Sequence, residues 1–117
     1  MEQRFTRQLK KGVLEMLVLA LLDRRASHGY ELLLRLKESS GGQLVLKEGT
    51  LYPSLYRLED DGCIVSAWQS PTGKPQTPKT ARKVYQITGR GRMVMTEQKE
   101  VWRQFSSNVE QILEGNA

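Results

Sequence analysis

Two runs rich in β-branched and aromatic residues, CIVSAWQ at 63–69 and VYQI at 84–87, interrupt a chain whose other apolar residues mostly recur at helical spacing. Each run reads as a strand. Between them lies SPTGKPQTPKTARK, residues 70–83. Its prolines, its glycine and its hydroxyls exclude regular structure in the middle, and it is longer than a tight hairpin loop. No acid occurs from Gly62 to Thr96, where the charges are Lys74, Lys79, Arg82, Lys83, Arg90 and Arg92. A hairpin with a purely cationic tip suits contact with a polyanion. Cys63 at its start reads as a small buried apolar residue.

The helices before the hairpin set its context. In residues 13–22, Leu14, Leu17, Val18, Leu21 and Leu22 follow one helical stripe, and Val13, Met16, Leu19 and Ala20 make most of the opposite side apolar too. One small core cannot easily cover both faces, so a second subunit is expected on the surplus one. Residues 2–11 carry Arg4, Arg7, Lys10 and Lys11 against Glu2. They read either as a solvated terminus or as a basic arm beside a phosphate backbone. After the polar break at 23–26, Ser27 is expected to cap a second helix near 29–38, with Glu31 in its first turn. His28 reads there as a capping or packing residue, not as a ligand.

Residues 47–62, KEGTLYPSLYRLEDDG, follow a loop at 39–42 and a short extended piece around Leu44 and Leu46. Leu51, Leu55 and Leu58 give a third helix one apolar stripe, Pro53 is expected in its first turn, and Gly62 is a natural stop. Thr50, Pro53, Ser54, Tyr56 and Arg57 fall mostly off the stripe. Such a face could read base edges and phosphates, or be merely the solvated side of an amphipathic helix. After the hairpin, Thr88 is placed to cap a last helix running to about Leu113, with Met95, Trp102, Phe105, Val109, Ile112 and Leu113 on one side.

The expected architecture is therefore mainly α (α+β): a winged helix-turn-helix over 1–88, with a C-terminal dimerisation helix over 89–117. The expected dimer interface is Leu14 and Val18 with Met95, Trp102, Phe105, Val109 and Ile112. Trp102 reads as an interface anchor or as a platform for a flat aromatic ligand.

Composition limits the remaining classes. The chain has 117 residues, 38% hydrophobic and 26% charged, with a net charge of +5. That balance fits an ordinary globular protein and favours an anionic partner. A single cysteine and a single histidine supply neither a disulfide nor an arguable metal or Cys/His catalytic site. The run at 13–22 is too short to span a bilayer and lacks the form of a signal peptide, so a cytoplasmic location is expected. The carboxylates Glu31, Glu48, Glu59, Asp60 and Asp61 form no recognisable acid–base pair with a nucleophile, so no catalytic residue and no cofactor is expected. A winged-helix protein-interaction module, with Glu59, Asp60 and Asp61 as its contact, is the alternative to DNA binding.

Three motifs bear on that choice: HGYEL at 28–32, GTLYPSLYRLE at 49–59, and RKVYQIT at 82–88 running into Gly91. In this order and spacing the chain resembles the PadR family of transcriptional regulators, in its small form, from Gly12 to Leu113. The resemblance implies a homodimeric winged-helix repressor that binds a palindromic operator in double-stranded DNA. It implies release by a small aromatic or phenolic effector. It matches Thr50, Tyr52, Ser54, Tyr56 and Arg57 to the recognition helix, and Lys74, Lys79, Arg82 and Lys83 to the wing. It matches Trp102 to a tryptophan that stacks flat ligands at the dimer interface. Residues 75–81 are longer and richer in proline than is usual in the family.

Overall fold

The computed structural model describes residues 2–69 and 82–115. Four helices and three short strands follow in the order α1 (Glu2–Arg24), β1 (Ser27–His28), α2 (Gly29–Ser39), α3 (Glu48–Asp60), β2 (Ile64–Gln69), β3 (Arg82–Ile87) and α4 (Gly89–Leu113). The sheet is antiparallel in the order β1-β3-β2. Its register sets Ile64 against Ile87, Ser66 against Tyr85 and Gln69 against Arg82, with Ser27 opposite Tyr85 on the other edge.

The basic segment at 2–11 is continuous helix with the apolar run that follows it, because it contains no proline and only Gly12 weakens it. The two-residue β1 is too short to show any alternation in sequence. Its presence moves the cap of α2 by one position. His28 is the N-cap, its Nδ1 accepting from the Glu31 amide at 3.1 Å. Ser27 is buried instead, and its Oγ accepts from Arg35 at 2.7 Å. Arg35 also donates to the carbonyls of Leu21 (2.8 Å) and Arg25 (3.2 Å), satisfying the end of α1.

α3 ends as a Schellman motif. Gly62 takes φ +75°, the Cys63 amide donates to Leu58 O and the Gly62 amide to Glu59 O. Pro53 falls in the second turn of α3, not the first, so one intrahelical bond is missing there. At the start of α4, the Thr88 hydroxyl donates to Gly62 O (2.7 Å) and accepts from the Gly91 amide (3.0 Å). This ties the end of α3 to the start of α4. The Cys63 carbonyl then lies so close to α4 that a Cβ at Gly91 would sit 2.1 Å from it.

The core joins Leu14, Val18, Leu19 and Leu22 of α1 to Leu32 and Leu36 of α2, Leu51, Leu55 and Leu58 of α3, Ile64, Tyr85 and Met95. Three expected dimer contacts thus belong to the chain's own core: Leu14 is 4% exposed, Val18 0% and Met95 6%. The reason is that α2, α3, the sheet and the first turns of α4 cover most of the apolar surface of α1 at 13–22. On α1 and α4, apolar side chains are uncovered further out, at Phe5 and Leu9 of α1 and Val101, Phe105, Ile112 and Leu113 of α4, and also at Met93 near the start of α4. Among the described residues, no helix is long and apolar enough to cross a membrane.

Candidate nucleic-acid interface

With Leu51, Leu55 and Leu58 sealed in the core, α3 must show its other side. Thr50, Pro53, Tyr56 and Arg57 are exposed on it. Arg57 keeps most of its side chain in solvent, donating to Ser54 Oγ at 3.1 Å with its Nε a loose 3.9 Å from Glu15. Its guanidinium is free enough to take a base edge or a phosphate.

Two neighbours are different. Ser54, expected on the reading face, is 3% exposed. It lies three residues beyond Leu51, on a buried stripe wider than the leucines alone indicate, and its hydroxyl steadies Arg57 instead of facing outward. Tyr52 is half-buried. Its ring lies over Gly29, where a Cβ would be 2.3 Å from the phenolic oxygen. Gly29 therefore makes room for Tyr52 at the junction of α2 and α3. Burial pushes the Tyr52 hydroxyl pKa up, with Glu48 and Tyr56 adding to the effect. The hydroxyl stays neutral at physiological pH. The Tyr52 and Tyr56 rings are 6.3 Å apart and tilted by 40°.

The wing strands stand beside this face. Arg82 is exposed at the outer end of β3, 3.3 Å from His28 Nε2. Lys83 is held inward: its Nζ is 3.8 Å from Glu59 and 5.8 Å from the centre of the Tyr85 ring. Glu59 also accepts from Ser66 Oγ at 2.5 Å. Ser66 and Glu59 tie β2 to α3, and the loose pair with Glu59 draws Lys83 toward the same helix. Arg90 and Arg92 are engaged too, with Asp61 O (2.7 Å) and Asp23 (2.9 Å). The acid-free span thus divides between wing and scaffold. Lys74 and Lys79 lie outside the described residues.

A cleft of about 410 Å³ runs between the start of α2, α3 and the wing. Tyr30, Trp68 and Arg82 line it beside Tyr52 and Tyr56. Tyr30 and Trp68 were not among the expected contacts. Tyr30 is the second residue of α2, two beyond its cap, a position from which its exposed side chain lines the same cleft as α3.

At the far end of the molecule, Trp102 is 43% exposed and Phe105 61% exposed. With Met16, Val101 and Gln98 they line a groove of 360 Å³ between α1 and α4. Gln98 Oε1 is buried there and finds no hydrogen-bond partner among the described residues. Val109 is half-buried, and Ile112 is exposed. Among the described residues, no three His, Cys, Asp or Glu side chains cluster to hold a metal.

A helical core presenting α3 beside a two-stranded wing defines the winged helix-turn-helix class of DNA-binding proteins. Residues 18–97 match the sequence model of the transcriptional regulator PadR-like family. The chain belongs to that family and is a DNA-binding transcriptional regulator. It is similar to the PadR family transcriptional regulator of Eggerthella lenta, with 31% identity and a TM-score of 0.82 over 97% of this chain and 93% of that one. It is also similar to the PadR-like transcriptional regulator of Bacillus cereus, with 31% identity and a TM-score of 0.74 over 91% and 96%. The transcriptional regulator Rv3488 of Mycobacterium tuberculosis is 39% identical over 61 residues, 52% of this chain; the matched part is about half of that relative (51%).

Proposed function

We propose that the chain acts as a homodimeric repressor: two copies bind a palindromic operator, each placing one α3 in the major groove. The observation that carries this reading is the face of α3, where Thr50, Tyr56 and Arg57 are exposed and every leucine is buried. Base discrimination rests on these side chains, each good contact contributing about 1–3 kcal/mol. Arg82 and the wing supply sequence-independent affinity. Residues 1–88, closed by the first turns of α4, carry the DNA-reading surface, and the remainder of 89–117 forms the main junction between the copies. The second copy covers the apolar surface that one chain leaves open, from Phe5 and Leu9 to Trp102, Phe105 and Ile112.

A flat aromatic or phenolic effector fits between the subunits against Trp102, where the unpartnered Gln98 Oε1 can accept its hydroxyl. Binding there releases DNA if it favours an angle between subunits that misplaces the two α3 helices. The protein-interaction alternative would use the acidic end of α3, where Glu59 is paired with Lys83 and Ser66 and Asp60 and Asp61 are exposed. Selection of DNA sequences from a random duplex pool tests the proposal. It should enrich a palindrome whose half-site centres lie about 34 Å, or a multiple of that, apart. Enrichment of no sequence, or of an unrepeated half-site, contradicts it.

A further inference from the structure

On the side of α3 away from the wing lies a second groove, of 450 Å³. Arg7, Lys10 and Lys11 of α1 line one wall, and Lys47 with Thr50 and Arg57 line the other. The spacing i, i+3, i+4 puts Arg7, Lys10 and Lys11 on one face of the helix. Among the described residues, none of these three, nor Lys47, forms an ion pair. The next acid along α1, Glu15, is turned toward Arg57.

This arrangement is unfavourable for the isolated helix. Like charges at these spacings repel. Local rules are broken in this way where a site has work to do. The groove is also continuous with the face of α3, since Thr50 and Arg57 belong to both. Leu14, Val45 and Leu46 give it an apolar floor along which lysine and arginine stems can lie while their charged ends stay at the rim.

We infer that this groove is a second phosphate track. The wing takes the DNA backbone on one side of α3, and Arg7, Lys10, Lys11 and Lys47 take it on the other. α3 is then flanked by phosphate contacts on both sides, which fixes its depth and register in the major groove. The inference rests on the DNA-binding reading and adds to it a named set of cations outside the helix-turn-helix and wing.

The test is the salt dependence of binding to a fluorescent duplex, followed by anisotropy, for the full chain and two variants. The triple variant Arg7→Gln, Lys10→Gln, Lys11→Gln keeps good helix formers in α1. Its slope of log affinity against log salt should be shallower by about 2.7 per chain, from about 0.9 for each phosphate no longer neutralised. Arg82→Ala should remove about 0.9 per chain. A triple variant with an unchanged slope, beside a weakened Arg82 variant, overturns the second track and leaves DNA binding standing. Wild-type protein without affinity for duplex overturns both. A measurement on unaltered protein guards against a misfolded variant. Bound duplex should shield Lys10, Lys11 and Lys47 from an amine-acylating reagent while Lys37 labels as before. Equal labelling of all four with and without DNA overturns the inference.

Discussion

The two halves of α4 sit in opposite surroundings. Its first turns are part of the winged helix: Gly91 lies against the Cys63 carbonyl and Met95 is sealed in the core. Beyond Gln98 the same helix carries Val101, Trp102, Phe105, Ile112 and Leu113 into solvent. The difference separates two kinds of apolar residue. Those near the sheet help close the core of one chain, whereas those farther along stay exposed in it. On the proposed reading, the first half of α4 aims α3 and the second half pairs the copies.

The sharpest way to break this division is to disturb the sealed half. Gly91→Ala forces a methyl group into the Cys63 carbonyl and should cost more than about 3 kcal/mol, read as a large fall in denaturation midpoint. A midpoint near that of the parent would mean that the approach of β2 to α4 is soft. Arg57→Ala should act on the surface between the halves. It should lower affinity for the selected operator by about tenfold or more and leave thermal stability nearly unchanged, because its ion pair with Glu15 is long and exposed. An equal loss on all duplexes would make Arg57 a phosphate contact and not a base reader.

An effect confined to strongly alkaline pH sharpens the core side of the comparison. Burial pushes the Tyr85 hydroxyl up to about 12 from a reference value of 10.0. A raised pKa in the folded state contributes stability that is fully present below pH 10 and lost as pH rises toward 12. Tyr85→Phe should therefore flatten that alkaline loss by up to about 2 kcal/mol at pH 12, read from urea unfolding at a series of pH values. A variant with the same alkaline loss as the parent would place the titration elsewhere.

Much of the architecture was legible in the sequence because its signals are local and strong. Gly62 after an acidic run, Thr88 before Gly89 and the two β-branched strands all behave as their chemistry demands. The site was less legible. A hydroxyl at Ser54 looks like an outward residue, but its side is decided by its distance from Leu51. Cations also look alike in sequence, yet Lys83 leans toward Glu59 while Arg82 stands at the outer end of the strand. The fate of a leucine-rich helix is similarly hidden. Leu14 and Val18 could have met a partner or their own chain, and only the packing of α2, α3 and the sheet decides for the latter. His28 took the cap from Ser27 because two residues of β1 pair with β3, an interaction across more than fifty positions of sequence.

The division between the halves comes down to Phe105. Phe105→Glu places a charge in the exposed apolar stretch and leaves the winged helix untouched. Sedimentation of this variant and of the parent, each alone and with a fluorescent duplex at low ionic strength, tests the account most directly. It predicts a dimeric parent and a folded monomeric variant that still binds duplex, with much lower affinity for the palindrome. A variant that stays dimeric, or a monomer that has lost all affinity for duplex DNA, would contradict it.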